Sequence, residues 1–395
     1  MISFAAGLVD EPSLPADATL QAATAVLKSP KRAQRALQYG TTQGLEPLRK
    51  RLVRHIESLE LKKAHDMGFG PEDVLLTTGS QQSLYLIADT LLNPGDIVIT
   101  ANPSYFVYTG ALVSMGARLI GVPMDNFGMD VDQVARVLED LKKSGDLPRV
   151  KFIYCTSFYQ NPTGLTLSLE RRQRLVEIAR NYSCNHRLLI VEDAAYRELR
   201  YEGAALPSIK SFDHTNQYTV LTHTFSKPFA PGLKLGYTIM PRDLMRQVLR
   251  QKGNHDFGSA NLCQWLALET MTSGNYAAHV RRLREEYLKK RDRLLNCLQQ
   301  HLPSSVHWTR PQGGLYVWLT LPGHINTGPG GRLFDACIKS GVLYVPGEYA
   351  YANIDRPSRN QLRLCFGQVP ITRINTGIRR LARAISQLDN PRRSR

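Results

Sequence analysis

The feature that most constrains this chain is a regular alternation of short apolar runs and amphipathic segments between Asp73 and Met240. The apolar runs predict strands at Val74–Thr78, Ile97–Thr100, Arg118–Val122, Lys151–Thr156, Leu188–Glu192, Thr219–Thr224 and Leu235–Met240. Helical spacing between them predicts helices that include Gln81–Leu92, Val131–Lys142 and Leu169–Tyr182. This alternation indicates an α/β fold with a mostly parallel central sheet that helices cover on both faces.

The C-terminal part of the chain has a different pattern. A long helix is predicted at Tyr276–Gln300, then a strand at Gly314–Leu321, a helix at Gly331–Ser340, a strand at Gln361–Phe366 and a last helix. A chain of 395 residues also exceeds the size that one hydrophobic core usually serves. We therefore expect an N-terminal arm that joins the small domain (1–45), a large domain (46–275) and a smaller α+β C-terminal domain (276–395).

Composition and short motifs exclude several classes of protein. Met1–Leu20 has no basic region before its short apolar run, and no apolar segment is long enough to cross a bilayer. We therefore expect a cytoplasmic protein with no membrane partner. The histidines form no HxH or HExxH pattern and the cysteines no CxxC pair, so neither a metal site nor a disulfide is predicted. The cysteines are Cys155, Cys184, Cys263, Cys297, Cys337 and Cys365.

The formal net charge of +16 is compatible with nucleic acid, an anionic membrane, a phosphate-bearing ligand or only a solvated surface. Between Arg281 and Asp292 the basic residues are interleaved with acidic ones, which is typical of an exposed helix face with i,i+4 ion pairs. We predict a solvated helix there and no nucleic-acid partner. This pattern does not account for the overall charge.

Two predicted strands end in residues that suit an anionic or a cationic group, and ligands of open α/β sheets bind at the carboxyl ends of strands. After the first strand, Thr78-Gly79-Ser80-Gln81 opens a helix whose free N–H groups can face a phosphate. Helix capping is the simpler interpretation of that segment. Asp193 follows the apolar run Leu188–Val191, and its carboxylate can pair with a cationic ring nitrogen or cap the next helix.

A third strand end carries a lysine. Ser226-Lys227-Pro228 follows Thr219–Phe225, and Pro228 disfavours a helical backbone at Lys227. A lysine that loses its hydration has a lowered pKa and suits Schiff-base chemistry, although an ordinary loop lysine is the commoner case. Together the three strand ends supply a phosphate cradle, a carboxylate and an imine-forming amine. Pyridoxal 5′-phosphate (PLP) requires this combination.

The sequence resembles the fold-type I PLP-dependent aminotransferases of class I and II, in particular the subgroup of 2-aminoadipate and kynurenine aminotransferases. The resemblance extends from Gln38-Tyr39-Gly40 to Leu362-Arg363-Leu364. It rests on Gln160-Asn161-Pro162-Thr163-Gly164, on the segment Asp193–Tyr196 and on Ser226-Lys227 at the spacings of that family. It implies an aminotransferase that moves an amino group from an L-amino acid to a 2-oxo acid.

The resemblance also implies a role for each site residue. Lys227 forms the imine with PLP and transfers the proton between Cα and C4′, and Asp193 pairs with the pyridine nitrogen. Asn161 and Tyr196 bond the ring oxygen, and Tyr105 stacks on the ring. The implied phosphate ligands are Ser80, Gln81, Thr224, Ser226, Lys234 and, from a second subunit, Tyr39. Arg363 clamps the substrate α-carboxylate, with Asn161 and Tyr39 nearby, and the shared site implies a homodimer.

Simpler roles remain open for single residues. Asn161-Pro162-Thr163-Gly164 is a good turn sequence, Tyr105 and Tyr196 suit a core, and Arg363 suits a structural ion pair. The chain also departs from its subgroup. It has Lys234 where an arginine is usual, which keeps the charge without the bidentate fork, and Ala195 where a proline is usual.

Two other functions remain as alternatives. The same lysine and aspartate serve PLP-dependent lyases, decarboxylases, racemases and cyclases. A DNA-binding regulator of this fold carries a winged-helix domain in front, whereas the resemblance here begins at Ile2-Ser3-Phe4, so we expect no such regulator.

The expected donor follows from the N-terminal segment, which receives a distal carboxylate in 2-aminoadipate-type relatives. Leu8–Leu27 contains no lysine or arginine, and it carries Asp10, Glu11 and Asp17. A second carboxylate would lack a cationic partner there, which is costly. We therefore expect an uncharged, aromatic or basic amino donor.

Overall fold

The computed structural model of the protein describes residues 1–183, 186–352 and 357–389. Its strands are β1 Ile2–Ser3, β2 Val74–Thr77, β3 Ile97–Asn102, β4 Arg118–Asp125, β5 Gly128–Met129, β6 Val150–Thr156, β7 Leu189–Asp193, β8 Thr219–Thr224, β9 Gly236–Ile239, β10 His307–Trp308, β11 Tyr316–Thr320, β12 Val342–Leu343, β13 Val345–Pro346 and β14 Gln361–Cys365. Its α-helices are α1 Ala16–Leu27, α2 Pro30–Leu37, α3 Glu46–Glu60, α4 Gly79–Leu91, α5 Phe106–Ser114, α6 Val131–Ser144, α7 Leu169–Asn181, α8 Arg242–Asp256, α9 Asn261–Thr272, α10 Asn275–His301, α11 Arg332–Lys339 and α12 Ile371–Asp389.

The large sheet has eight strands in the order β2-β9-β8-β7-β6-β3-β4-β5. The run from β8 to β4 is parallel, β9 lies antiparallel between β2 and β8, and β5 is antiparallel to β4. The predicted mostly parallel sheet is therefore confirmed. The direction of β9 could not be read from its apolar pattern, because a strand that is buried on both faces has the same composition in either direction.

Alternate side chains of the central strands enter two separate cores. Ile97 and Ile99 of β3 belong to the core formed with α6 and α7, while Val98 belongs to the core formed with α4, α5 and α8. Successive side chains of a strand point to opposite faces, so burial on both faces requires the continuous apolar runs seen in the sequence. Helices thus cover both faces, as predicted.

Local sequence sets the ends of the helices. Asp130 caps α6 by accepting hydrogen bonds from the backbone N–H groups of Asp132 (3.0 Å) and Gln133 (3.1 Å). The predicted helices coincide with α4, α6, α7 and α10 to within a few residues. The helix α5 was not predicted, since its composition is apolar on all sides and gives no helical periodicity.

The C-terminal part forms a second sheet. Its order is β10-β11-β14-β13, with all neighbours antiparallel, and α10 and α12 pack together beside it. The apolar core is continuous from β2 of the large sheet into this part. The short strand β1 pairs in parallel with β12, so the N-terminal segment reaches the C-terminal part of the chain. The domain limits at residues 45 and 275 stay predictions.

In the described ranges no helix is long and apolar enough to cross a membrane. No group of three or more His, Cys, Asp or Glu side chains there is arranged to hold a metal ion. The cysteines of these ranges are free thiols, namely Cys155, Cys263, Cys297, Cys337 and Cys365. Cys184 lies outside the described residues.

Candidate active site

A cavity of about 330 Å³ lies at the edge of the large sheet where β6, β7 and β8 end. Of the residues that the sequence proposed for a site, all except Tyr39 line it. Those residues are Ser80, Gln81, Tyr105, Asn161, Asp193, Tyr196, Thr224, Ser226, Lys227, Lys234 and Arg363. They come from six separate stretches of the chain, so the fold brings together residues that are up to 283 positions apart (363 − 80).

One wall of the cavity is the first turn of α4, where Gly79, Ser80 and Gln81 present a helix N-terminus. A β-carbon built on Gly236 of β9 would lie 2.5 Å from the Ser80 amide nitrogen, so only glycine lets α4 approach this closely. Helix N-termini attract anions through their free N–H groups and dipole.

Two hydroxyl groups and a lysine adjoin that helix end. The Thr224 hydroxyl donates to the Ser226 hydroxyl oxygen at 2.9 Å, and the Ser226 amide donates to Thr224 Oγ1 at 3.1 Å. Lys234 lines the same cavity from the residues just before β9. Hydroxyl donors, an ammonium group and a helix N-terminus form a donor set that fits a phosphate group.

Asp193 is the last residue of β7 and is buried. Tyr154 donates from its hydroxyl to Asp193 Oδ2 at 2.9 Å, and the Ala195 amide donates to Oδ1 at 3.1 Å. Burial raises the pKa of Asp193 to about 6, against the opposing effect of these hydrogen bonds. The chain after Asp193 forms a turn instead of a helix, so the alternative role as a helix cap does not apply. A buried carboxylate of this kind fits a cationic ring nitrogen.

Lys227 follows β8 and points into the cavity. Its ammonium group donates to the Gly7 carbonyl oxygen at 2.9 Å and lies 5.9 Å from the centre of the Tyr196 ring. Burial lowers the pKa of Lys227. Lys227 is therefore held inside the cavity by a carbonyl group, and it is not an ordinary solvated loop lysine.

Arg363 enters the cavity from β14, whereas its neighbours Leu362 and Leu364 face the core, because successive side chains of a strand point to opposite sides. Its Nη1 donates to Asn161 Oδ1 at 2.7 Å and its Nη2 to the Ala5 carbonyl at 2.6 Å, whereas Nε has no partner in the described residues. No carboxylate in those ranges pairs with it, so the structural ion pair that the sequence left open is absent there. The guanidinium group is free to receive a carboxylate.

Tyr39 lies outside this cavity. It follows α2, its side chain is 84% exposed, and its ring packs edge-on against Phe257, which is 59% exposed, at 5.8 Å. Within one protomer, Tyr39 therefore does not lie with the other site residues.

Sequence reasoning missed several residues of the cavity, namely Gly7, Leu8, Phe106, Val107, Thr156 and Tyr316. Leu8, Phe106 and Val107 are apolar and carried no chemical signal. Tyr316 lies on β11 of the second sheet, and only the register Trp318↔Arg363 brings its ring to within 4.5 Å of the Arg363 guanidinium carbon. The sequence offered one signal. Tyr316 lies in the predicted strand Gly314–Leu321, in the same part of the chain as the predicted strand that carries Arg363.

The chain matches the family model "Aminotransferase class I and II" over residues 1–381. It is 35% identical to the aromatic-amino-acid aminotransferase 1 of Thermococcus litoralis, over 98% of this chain and 88% of that relative. The structure of a multiple substrate aminotransferase from Thermococcus profundus superposes with a TM-score of 0.91 at 36% identity, covering 99% of this chain and 92% of that one.

A third relative was solved with a cofactor adduct. It is LysN, an alpha-aminoadipate aminotransferase from Thermus thermophilus complexed with N-(5′-phosphopyridoxyl)-L-leucine. Its TM-score is 0.86 at 31% identity, covering 99% of this chain and 93% of that one. The donor set, the buried carboxylate and the partly buried lysine of the present cavity fit the phosphate, the ring nitrogen and the aldehyde of PLP. The chain therefore belongs to the class I and II aminotransferase family, and it is a PLP-dependent transaminase of fold type I.

Proposed function

We propose that the enzyme transfers the amino group of an uncharged, aromatic or basic L-amino acid to a 2-oxo acid, with Lys227 as the cofactor lysine. The observation that carries this proposal is the convergence of Lys227, Asp193 and Arg363 on one cavity. Bound PLP supplies an electron sink for negative charge at the substrate Cα. The residues of the chain must then hold the cofactor, hold the substrate and move one proton.

The cofactor is held at both ends in this proposal. Ser80, Gln81, Thr224, Ser226 and Lys234 hold the phosphate, with the N-terminus of α4 behind it. Asp193 keeps the ring nitrogen protonated, since a buried carboxylate is stabilised by an adjacent cation. Asn161 and Tyr196 bond the ring oxygen, and Tyr105 packs on the ring. All of these side chains line the same cavity, which supports the assignment.

Lys227 moves the proton in this proposal. Burial lowers its pKa, which favours the neutral amine once Lys227 is released from the cofactor. Its present partner, the Gly7 carbonyl, holds the ammonium group inside the cavity. The released amine can therefore take a proton from Cα and return it at C4′.

Arg363 orients the substrate by binding its α-carboxylate through two parallel hydrogen bonds. Asn161 supports this role, because its side-chain oxygen fixes Nη1 of Arg363 at 2.7 Å. A substrate held this way has its Cα near Lys227, which lines the same cavity.

The donor class rests on the charges of the cavity wall. The cationic side chains that line it in the described ranges are Lys227, Lys234 and Arg363, which already have roles. Leu8, Phe106 and Val107 supply an apolar wall instead. A distal carboxylate would thus lack a cation there.

We expected the acidic residues of the N-terminal segment to disfavour a distal carboxylate in the pocket. The positions of Asp10 and Asp17 do not support that part of the argument. Asp10 accepts a hydrogen bond from Lys290 at 2.6 Å, so its charge is already paired, and Asp17 lines a different surface cavity. Of the segment Leu8–Leu27 only Leu8 lines the active-site cavity.

A donor screen tests the function and the donor class together. Each L-amino acid is added to PLP-loaded enzyme without an acceptor, and the cofactor absorbance and the 2-oxo acid are measured. We expect stoichiometric 2-oxo acid with uncharged, aromatic or basic donors and none with Lys227→Ala. Release of carbon dioxide or a racemised donor in its place would favour another PLP-dependent reaction. A wide preference for glutamate or 2-aminoadipate would contradict the donor class.

We further propose a homodimer in which Tyr39 of one protomer reaches the phosphate site of the other. The support is that Tyr39 and Phe257 form an exposed aromatic pair outside their own cavity, and aromatic residues are enriched in protein interfaces. A cytoplasmic location and the absence of a nucleic-acid partner belong to the same proposal. Gel filtration with light scattering tests the dimer directly.

A further inference from the structure

Tyr316 lies between Tyr196 and Arg363 in the active-site cavity. Its side chain is 1% exposed, and its hydroxyl oxygen is 2.9 Å from that of Tyr196. The two rings meet edge to face at 5.5 Å, and the guanidinium carbon of Arg363 lies 4.5 Å from the centre of the Tyr316 ring. Tyr316 thus contacts both a residue assigned to the cofactor oxygen and the residue assigned to the substrate carboxylate.

We propose that Tyr316 is a positioning residue with two separable parts. Its hydroxyl donates a hydrogen bond to Tyr196 and so directs the proton of Tyr196 to the PLP ring oxygen, while its ring holds the Arg363 guanidinium in place for the substrate carboxylate. This inference rests on the proposed roles of Tyr196 and Arg363.

The direction of the hydrogen bond follows from the number of available protons. Burial raises the pKa of Tyr316 to about 12 and that of Tyr196 well above its usual value, so both phenols are protonated at neutral pH. Each phenol has one proton to donate. When Tyr196 donates to the cofactor, only Tyr316 can donate in the bond between them. A hydroxyl that accepts a hydrogen bond is also a stronger donor.

The ring acts on Arg363 in a different way. All N–H groups of a guanidinium lie in its plane, and an aromatic ring over its face occupies none of them. Asn161 and Ala5 take one N–H each, and Nε has no partner in the described residues. The Tyr316 ring therefore contacts the Arg363 guanidinium group and leaves N–H groups for a carboxylate.

Gly7 of the N-terminal segment packs closely against the Tyr316 hydroxyl group. A β-carbon built on Gly7 would lie 2.5 Å from the Tyr316 hydroxyl oxygen, so a side chain at position 7 would displace the phenol. The carbonyl of Gly7 also accepts the hydrogen bond of Lys227. Glycine at this position thus allows the segment to contact Lys227 and Tyr316 together.

The test separates the hydroxyl from the ring. Tyr316→Phe removes only the hydroxyl, and Tyr316→Leu removes both parts. Tyr344→Phe is the matched control, because Tyr344 is a buried tyrosine outside the cavity lining whose hydroxyl donates to the Thr327 carbonyl at 2.9 Å. For each PLP-loaded protein we measure the pH midpoint of the cofactor absorbance, the thermal unfolding midpoint, and the rate and Kd of single-turnover reaction with L-phenylalanine.

We expect Tyr316→Phe to raise the pH midpoint. A weaker hydrogen bond from Tyr196 leaves more negative charge on the ring oxygen, and this charge holds the proton on the adjacent lysine nitrogen. The single-turnover rate should fall by about two- to tenfold, the effect of one neutral hydrogen bond. The Kd should stay near the wild-type value. Tyr316→Leu should in addition raise the Kd by about five- to thirtyfold, since a desolvated cation–π contact is lost.

A pH midpoint of Tyr316→Phe equal to those of the wild type and Tyr344→Phe would overturn the role of the hydroxyl. Equal Kd values for Tyr316→Phe and Tyr316→Leu would overturn the role of the ring. If the wild type itself showed no lysine-bound cofactor absorbance, or Lys227→Ala retained it, the proposed function would fail instead. The two failures are therefore distinguishable.

Discussion

Asp193 is buried next to a second carboxylate, Glu192. In the protein without cofactor, the protonation of Asp193 can therefore be followed through its effect on stability. Burial raises the folded-state pKa of Asp193 from 3.8 to about 6. A raised pKa means that the folded protein holds a proton that the unfolded chain has already lost, so stability falls as the pH rises from about 4 to 6. Above pH 6 the buried charge is destabilising until a cation pairs with it.

Asp193→Asn should remove this dependence. Relative to wild type, the apoprotein of the variant should gain about 1–3 kcal/mol of unfolding free energy between pH 4 and pH 7, the equivalent of a shift of about two pKa units. Urea denaturation of both apoproteins at the two pH values measures this difference. A constant difference at both pH values would show that Asp193 does not titrate in this range.

The same substitution should have the opposite effect on turnover. With PLP bound, Asp193→Asn should lower the rate by orders of magnitude, because a ring nitrogen without its carboxylate loses its proton and is a poor electron sink. Cofactor absorbance should show that PLP still binds. Normal kinetics in this variant would reduce Asp193 to a structural residue.

At the scale of elements, the contact between β9 and α4 sets the shape of the proposed phosphate site. A β-carbon at Gly236 would lie 2.5 Å from the Ser80 nitrogen and 2.6 Å from the Gly79 carbonyl carbon, both backbone atoms that cannot rotate away. Gly236→Ala should therefore push the first turn of α4 outward and weaken PLP binding by about 1–3 kcal/mol. Equilibrium dialysis against PLP measures the change.

Gly232→Ala is the control for this prediction. Gly232 lies in the connection from β8 to β9, just before Gly236, and a β-carbon there meets no atom within 4 Å. Its PLP affinity should equal that of the wild type. Equal affinities for Gly236→Ala and Gly232→Ala would mean that the first turn of α4 does not depend on the close contact.

At the scale of the whole molecule, the exposed position of Tyr39 predicts complementation between protomers. In the proposed homodimer, Lys227→Ala and Tyr39→Ala proteins should both be impaired, since one lacks the lysine and the other lacks the residue that we propose crosses the interface. Heterodimers contain one site in which both residues are intact, so mixing should restore up to about half of the wild-type activity per dimer. Purified heterodimers with two different affinity tags provide the measurement. No recovery in them would contradict shared sites.

The α/β class, most strands, and the residues Lys227, Asp193 and Arg363 were predictable from sequence. Burial of a strand on both faces requires a continuous apolar run, and a chemically reactive residue at the end of such a run is visible without coordinates. The sequence could not give the antiparallel direction of β9, the close contact at Gly236, or the pairing of Asp10 with Lys290. Each depends on which distant segments meet.

The same distinction, between what the sequence predicts and what tertiary contacts decide, applies to Tyr316 within the site. The sequence determined that a tyrosine stands in a strand of the C-terminal part, with the same pattern as any core tyrosine. Only the pairing of β11 with β14 set its ring beside Arg363, and only the packing of the two sheets brought its hydroxyl to Tyr196. Local patterning thus determined which elements form and which residues can react. The tertiary structure decided which of these residues touch, because contacts across 120 positions of chain, from Tyr196 to Tyr316, depend on sheet register and packing.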